Sequence, residues 1–477
     1  MRNRLSRIHN LNGLSVQLLC QSKRHVHSSR AHNVSAATTS SSGIPEMFSK
    51  PSAPTPKKSP LSILPLSSVL RSYMIASMSR SPRVLDATFA FLVRLLRSRS
   101  IWTDIERNPI LRWTLRNTFY AQFCAGENQK EVAISAKETK SYGFQGIILE
   151  YALERLGGED EAAAPDSKET ATEIETFRSG MIETIDACNP GDFIALKWSG
   201  LGGYALQLMK QNKPPTPVME AAMTQICDRA TLKGVKILPG AEEESTNTGI
   251  YSWTMNLQKR YNTRGPGKVV VYSTYQAYLK STPGNLAKHL AYAKKEDFTM
   301  GVKLVRGAYL ATEPRHIIWE SKEKTDEMYD ALAEACLKRE YTRVLPPAHQ
   351  GVAFPEVDVV LATHNLVTVR KAQAIRNQQL TRGEPRVTLA YAQLKGMADE
   401  VSCELAQGAK SQADDGSMKV DPPMVYKDVP WGTMTQCLNY LLRRAAENKD
   451  AAMRVSATRK AMGAEIWRRA KGAVGLY

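Results

Sequence analysis

The sequence predicts an α/β protein: a (β/α)8 barrel of the TIM type, preceded by a helical region and followed by a helical tail. Three observations lead there. From Tyr142 onward, eight short β-rich runs alternate with stretches of helical spacing. A polar residue stands at nearly every carboxyl end of those runs, where such barrels keep their chemistry. After the eighth run comes a helix that places Tyr440, Arg443, Arg444 and Glu447 on one face. The chain has 477 residues, 43% of them hydrophobic, which is enough for one barrel-sized domain with extensions.

Taken in order, residues 1–45 hold six Lys or Arg (Arg2, Arg4, Arg7, Lys23, Arg24 and Arg30) and no acid, and serine and threonine crowd positions 35–42. Leu5, Ile8, Leu11 and Leu18 line one side when the segment is wound as a helix. This is the composition of a mitochondrial transit peptide; a disordered basic tail has the same charge but less reason to exclude acids so completely. Residues 46–60 read as a proline-rich linker. Residues 61–141 carry apolar residues at helical spacing, a helical region whose faces either pack on the rest of the chain or lie on a membrane surface. No apolar run reaches the roughly 18 residues that a membrane-spanning helix needs. The net charge of +17 invites a nucleic-acid reading, yet residues 1–45 supply six of those charges and residues 46–60 two, leaving +9 from Leu61 onward. That remainder suits an anionic substrate or an anionic membrane surface.

The expected strands cover residues 146–150, 193–197, 235–238, 269–272, 302–306, 359–363, 387–391 and 425–429. Between them, residues 175–188, 219–230, 251–261, 285–294, 324–338 and 368–375 are helix candidates, which is the grammar of parallel βα units. The barrel then spans residues 142–450 and the helical tail residues 451–477. Residues 157–172, acidic and alanine-rich, read as a surface excursion between the first and second units.

The strand ends name the candidate residues. Lys197 ends the second strand, Glu242 follows the third, Gln276 the fourth, and Arg306-Gly-Ala-Tyr309 the fifth. Thr363, His364 and Asn365 end the sixth, and Gln393 and Leu394 follow the seventh. Each alone has a structural explanation, but independent structural roles would not put one polar group at nearly every carboxyl end. On the last helix, Arg443 and Arg444 read as an anion clamp with the Tyr440 ring beside it, against the alternative of a salt-bridged surface. Gly200-Leu-Gly-Gly-Tyr-Ala205 satisfies a dinucleotide fingerprint with Glu220 beyond it. Glu220 opens a helix rather than ending a strand, so these glycines read as a loop at the barrel mouth. Two other classes stay open: an NAD-dependent Rossmann dehydrogenase, on those glycines, and a non-enzymatic basic mitochondrial protein that binds nucleic acid, on the charge. Seven cysteines are scattered without metal-like spacing, so reduced, mostly buried thiols are expected and no metal site.

Four motifs in order, Lys303-Leu-Val-Arg-Gly-Ala-Tyr309, Ala362-Thr-His-Asn365, Gln393-Leu-Lys-Gly-Met397 and Tyr440-Leu-Leu-Arg-Arg-Ala-Ala-Glu-Asn448, resemble the mitochondrial proline dehydrogenase (proline oxidase) family. The resemblance runs from about Leu70 to about Lys449. It implies a distorted (β/α)8 barrel that holds FAD non-covalently without a Rossmann fold, with the double-arginine helix over its mouth. It also implies oxidation of L-proline to Δ1-pyrroline-5-carboxylate and electron delivery to ubiquinone, with peripheral contact to the mitochondrial inner membrane on its matrix side and no nucleic-acid partner. By motif position it implies flavin contacts from Gln276, Lys303, Arg306, Gly307, Ala308, Thr363 and His364, and a proline pocket from Lys197, Tyr309, Leu394, Tyr440, Arg443 and Arg444. Glu154 matches a carboxylate that can pair with the arginine helix. A hydroxyproline dehydrogenase of the same family is the alternative. Two positions depart from the pattern: Gly240-Ala-Glu242 stands where the family usually has Asp-Ala-Glu, and Asp428 where it has Tyr before Val-Pro. Asp428 opens space and offers an acceptor to a 4-hydroxyl, but it repels a substrate carboxylate unless paired, with Lys427 as the nearest candidate. Weaker use of proline and better tolerance of 4-hydroxyproline are expected.

Overall fold

Among the described residues of the computed structural model, a short 3-10 turn (Pro60–Ile63) is followed by α1 (Leu66–Met78), α2 (Pro82–Arg97), α3 (Pro109–Leu115), which runs on through a π-helical turn (Arg116–Tyr120) and a last helical turn (Ala121–Phe123), and α4 (Gln129–Ser141). The barrel then begins with β1 (Gly146–Tyr151), α5 (Lys168–Ala187), β2 (Phe193–Leu196), α6 (Gly203–Lys210), α7 (Pro217–Lys233), β3 (Lys236–Pro239) and α8 (Glu244–Tyr261). It continues with β4 (Ser273–Gln276), α9 (Thr282–Lys295), β5 (Met300–Val305), α10 (Lys322–Lys338), β6 (Val357–Ala362) and α11 (Leu366–Arg382). β7 (Thr388–Leu394), α12 (Asp399–Ala413), β8 (Met424–Trp431) and α13 (Met434–Glu447) complete it, and α14 (Ala452–Ala473) follows. The structure describes residues 59–98, 100, 104–152, 167–413, 420–447 and 452–475. The expected transit peptide, residues 46–58 of the linker, Glu154 and residues 157–166 of the expected excursion lie outside the described residues; residues 168–172 open α5.

Local chemistry sets the helix ends. Thr216 caps α7 by accepting from the Met219 amide, Pro217 takes the first helical position, and Gly234 ends the helix in the left-handed region. Asn365 caps α11 through the amides of Val367 and Thr368, and Gly383 closes it the same way.

All eight strands are parallel, in the order β3-β2-β1-β8-β7-β6-β5-β4. The ring is closed firmly between β8 and β1, where six residue pairs run from Gly146↔Tyr426 to Tyr151↔Trp431. Between β3 and β4 it is closed by a single bridge, Ile237↔Val271, with the Ile237 amide donating to Val270 O at 2.7 Å and the Tyr272 amide to Ile237 O at 3.0 Å. That seam is the distortion. Pro239 ends β3, and its carbonyl accepts from the Thr274 hydroxyl and from Lys303 Nζ, the latter at 3.1 Å.

The fourth strand is a correction to the expectation. Residues 269–272 are the more β-branched run, but their backbone is held by a side chain: the Val270 and Val271 amides both donate to Asn262 Oδ1 at 2.9 Å, and Asn262 Nδ2 donates to Val271 O at 2.8 Å. An asparagine thereby fills the place of a neighbouring strand, and the ladder begins four residues later at Ser273. Residues 200–205 are likewise not simply a loop, since a short 3-10 turn (Trp198–Leu201) leads directly into α6.

Alternation along the strands sorts the core. Val425 and Val429 of β8 join the apolar layers between sheet and helices, while Tyr426 joins Ile148, Phe193, Leu238, Tyr272, Val360, Ala390 and Ala392 inside the barrel. Phe193 meets Tyr426 edge-on at 4.7 Å and Tyr272 at 5.9 Å between ring centroids. Toward the mouth the interior turns polar, with Glu150, Lys197, Lys303 and Asp428 in place of apolar side chains.

The C-terminal helix fastens the start of the described chain. On α14, Arg469 donates to the carbonyls of Leu61 (3.1 Å) and Leu64 (2.8 Å) while its Nε holds Glu465 Oε1 at 2.6 Å. Leu61, Leu64, Val69 and Met462 belong to the same apolar cluster as the outer face of β4 to β7.

Candidate active site

The mouth is built from strand ends. Lys197, just past β2, donates from Nζ to Ala241 O at 2.9 Å and lies 3.4 Å from Tyr309 Oη. Tyr309 Oη in turn lies 3.1 Å from Ala241 O and 3.2 Å from Glu242 Oε2. Glu242 is buried and its other oxygen accepts from the Ser199 amide at 3.2 Å. Gly240 makes this possible: a Cβ there would stand 2.7 Å from Lys197 Cδ and 2.8 Å from Cε, so the lysine stem uses the space that any side chain would fill.

α13 brings the remaining groups. Tyr440 is buried and donates from Oη to Glu150 Oε2 at 2.5 Å, pinning the helix to the end of β1. The Arg444 guanidinium lies 5.5 Å from the Tyr440 ring centroid. Arg443 is half-buried one turn beyond Tyr440 on the same helix, and the Glu447 side chain is outside the described residues. Leu394, opposite Asp428 in the register of β7 and β8, borders the same end of the barrel. Glu150 is a functional candidate that the sequence reading passed over; a lone carboxylate inside the apolar run Gly146-Ile-Ile-Leu-Glu-Tyr151 was the available signal.

Asp428 faces inward with Tyr426, and Lys427 faces outward, where its Nζ meets Asp399 Oδ1 at 2.8 Å and Ser402 Oγ at 2.7 Å. The expected pairing of Asp428 with Lys427 is therefore wrong: neighbours along a strand point to opposite faces, and the lysine is consumed by α12. Asp428 Oδ1 is shut off from water and has no hydrogen-bond partner among the described residues. Burial, reinforced by the Glu150 charge, pushes its carboxyl up to about 8 against the opposing pull of Lys303, Arg444 and Lys197. Burial likewise lowers the Lys303 amine, while Asp428 and Glu150 work to keep it charged.

The residues matched to flavin contacts fall into two groups. Lys303 is buried, spends one N–H on Pro239 O, and has two left for an acceptor in the mouth. Toward the ends of β6 and β7 the interior positions Ala362, Ala390 and Ala392 carry small side chains, with Leu394 closing β7 beyond them. Gly307 sits at φ +156 with its missing Cβ within 2.4 Å of the Tyr278 ring, a close approach that excludes side chains. The second group serves the protein first. Gln276 donates to Glu242 O at 2.7 Å and accepts from the Ala308 amide at 3.1 Å. Arg306 bonds Asp326, Thr363 and Thr368 and stacks 4.5 Å from the Tyr329 centroid, leaving two of its five donors. His364 Nε2 accepts from the Leu394 amide at 3.1 Å, which keeps that nitrogen unprotonated and ties β6 to β7. Small side chains at Ala362, Ala390 and Ala392, with N–H groups on Lys303 and Arg306 that meet no acceptor among the described residues, suit a flat, acceptor-rich flavin ring.

Comparison with known proteins completes the description. A family profile described as proline dehydrogenase matches residues 132–457. The chain is 30% identical over 366 residues to the human protein named proline dehydrogenase 1, mitochondrial, covering 72% of this chain and 54% of that one. It is 27% identical over 399 residues to the bovine protein named hydroxyproline dehydrogenase, covering 75% of this chain and 82% of that one. Among solved structures, proline utilization A (PutA) from Bdellovibrio bacteriovorus, inactivated by N-propargylglycine, superposes with a TM-score of 0.57 at 16% identity. That match covers 79% of this chain, which spans 38% of the bacterial protein's length.

Proposed function

Because the chain belongs to the proline dehydrogenase family, we propose that it oxidises L-proline to Δ1-pyrroline-5-carboxylate in proline catabolism, using non-covalently bound FAD and passing electrons on to ubiquinone. The observation that carries this reading is the gathering of Lys197, Tyr309, Tyr440 and Arg444 at one end of the barrel, with α13 pinned to β1 through Glu150.

In this reading Arg443, Arg444 and Lys197 bind the substrate carboxylate, because guanidinium forks engage both oxygens and fix the orientation of the ring. Tyr309, Tyr440 and Leu394 wall the pyrrolidine and exclude water from C5. FAD, when bound, supplies the acceptor for the hydride that leaves C5. Lys303, with its two remaining N–H groups, favours an electron-rich neighbour, as do Arg306 and Gln276 once their protein contacts are counted. The chain's share is positioning and electrostatics. Mitochondrial location accords with the transit-peptide composition of residues 1–45 and with the mitochondrial names of several relatives. Peripheral contact with the inner membrane accords with α1, where Leu66, Leu70 and Met74 form an exposed stripe, although no described helix is long and apolar enough to cross a membrane.

The test is an anaerobic absorption spectrum of the purified protein. A flavin spectrum bleached by L-proline supports the proposal; a protein that carries no flavin, or a flavin that proline leaves oxidised, ends it. Hydroxyproline dehydrogenase is the second reading, favoured by Asp428 Oδ1, which has no partner among the described residues and can accept from a 4-hydroxyl. Asp428→Tyr then raises the specificity constant for proline and lowers that for 4-hydroxyproline, and an unchanged ratio of the two removes Asp428 from the substrate's surroundings.

A further inference from the structure

The arginine helix does not hold its own position. Its first turn carries a local capping box, in which Thr433 Oγ1 accepts from the Gln436 amide at 3.3 Å and Gln436 Oε1 from the Thr433 amide at 3.0 Å. The Thr435 amide is outside that box. It donates at 3.2 Å to Glu106 Oε1, which also takes the Thr435 hydroxyl at 2.9 Å, from a residue 329 positions away in sequence. A carboxylate at a helix N-terminus satisfies an orphan donor and complements the helix dipole at once.

Glu106 is itself the end of an ionic chain. Arg112 binds Glu106 Oε2 at 2.5 Å and both oxygens of Glu127, at 2.8 and 2.9 Å. Arg116 binds Glu127 Oε1 at 2.8 Å and Glu131 Oε1 at 2.6 Å, and Glu131 Oε2 closes back on the Glu127 amide at 3.1 Å. The same N-terminal region grips the approach to α13: the Ala125 amide donates to Pro430 O at 2.8 Å, the Gly432 amide to Gly126 O at 3.1 Å, and Tyr120 Oη to Gly432 O at 3.1 Å. Gly126 has no room for a Cβ, which would stand 2.4 Å from Glu131 Cβ. Residues 106–126 thus supply most of the hydrogen bonds described on the entry to α13, joined by the Ala152 amide on Trp431 O at 3.0 Å, and the pin in its middle is Tyr440 on Glu150.

We propose that Glu106, oriented by Arg112, is a positioning residue that caps α13 and so sets how tightly Arg443 and Arg444 hold a substrate carboxylate. This rests on the proline dehydrogenase reading for its substrate, but not for its structural half. The capping carboxylate is remote from the mouth and touches no reacting atom, so its loss alters grip rather than chemistry. Because the chain of charges is only partly buried, with side-chain exposures of 34% for Arg112 and 38% for Glu106, added salt weakens the same grip.

The experiment compares holoenzyme with Glu106→Gln, Glu106→Asp and Arg112→Gln by hydrogen exchange along α13 and by steady-state kinetics with L-proline. The expected result is faster exchange at Thr435 and Gln436 in Glu106→Gln, KM raised by roughly three- to tenfold, kcat within about twofold, and partial rescue in Glu106→Asp. Arg112→Gln shows the same pattern in milder form and keeps the question open to test even where Glu106→Gln fails to fold. Unchanged exchange in α13, faster exchange without a change in KM, or equal losses in kcat and KM that Glu106→Asp does not relieve each overturns the inference. A wild type that ignores proline while its α13 exchange still depends on Glu106 instead counts against the proposed reaction and supports the cap.

Discussion

At the scale of single residues, the site is a balance of charges in a confined space. Replacing Arg444 with Met keeps bulk beside Tyr440 but removes a charge-assisted pair, so affinity for the substrate carboxylate falls by about 1.5–3 kcal/mol while flavin is retained; equilibrium binding of a proline analogue measures it. Arg443→Met behaves alike if both arginines form the clamp, and survival of binding in both variants makes that face mere surface decoration. Asp428 gives a prediction with a definite sign. Its carboxyl is raised to about 8 in the folded protein, so the stability it contributes is complete below the unfolded value near 4 and is lost as pH climbs to about 8. Asp428→Asn cannot ionise, and its melting temperature therefore declines less than that of the wild type between about pH 5 and pH 8. Most of the residues around the mouth were legible because strand ends are counted easily along a sequence. The direction in which Asp428 and Lys427 point was legible too, from strand alternation alone. The partners were not: neither Glu150 under Tyr440 nor Glu106 on α13 can be read from spacing, since 290 and 329 positions separate them.

At the scale of elements, periodicity located seven of the eight strands to within a few residues and failed at the fourth for a physical reason. Val269-Val-Val-Tyr272 has the stronger β propensity, but Asn262 satisfies its backbone and the true ladder starts where Ser273 meets Val302. Propensity registers which residues like an extended backbone, not who supplies the hydrogen bonds. The glycines at 200–205 misled in the same way, since a run of three glycines reads as a loop while Gly202, at φ +106, is the turn that launches α6. The clasp of α14 carries an element-scale prediction. Burial alone would raise the Glu465 carboxyl, yet hydrogen bonds from Arg468, Ser59 and Arg469 bring it down to about 2. Its contribution is thus fully present above the ordinary carboxylate range and is lost as pH falls toward 2. Glu465→Gln costs about 2 kcal/mol near neutral pH, read from denaturant unfolding, and the difference from wild type shrinks on acidification.

At the scale of the whole molecule, the barrel, the preceding helices and the closing α14 form one compact unit, and the expected transit peptide, residues 1–45, lies outside the described residues. Deleting them leaves flavin content and proline oxidation intact in vitro and abolishes uptake by isolated mitochondria; normal uptake of the shortened chain removes the targeting assignment. The seam between β3 and β4 has a consequence for how this ring yields. A hoop riveted at seven joints and stitched at the eighth opens where the stitches are. Six paired residues stiffen the β8–β1 joint at the root of the arginine helix, whereas two backbone hydrogen bonds and the Pro239 carbonyl hold the opposite side. Breathing of the barrel is therefore lopsided: the wall bearing Lys197 and Gly240 parts from the wall bearing Gln276 and Lys303, while the clamp stays put. Hydrogen exchange reads this directly, with the Ile237 and Tyr272 amides exchanging ahead of those in β1 and β8, and Thr274→Val, which cuts one stitch, hastens the first pair and leaves the second unchanged.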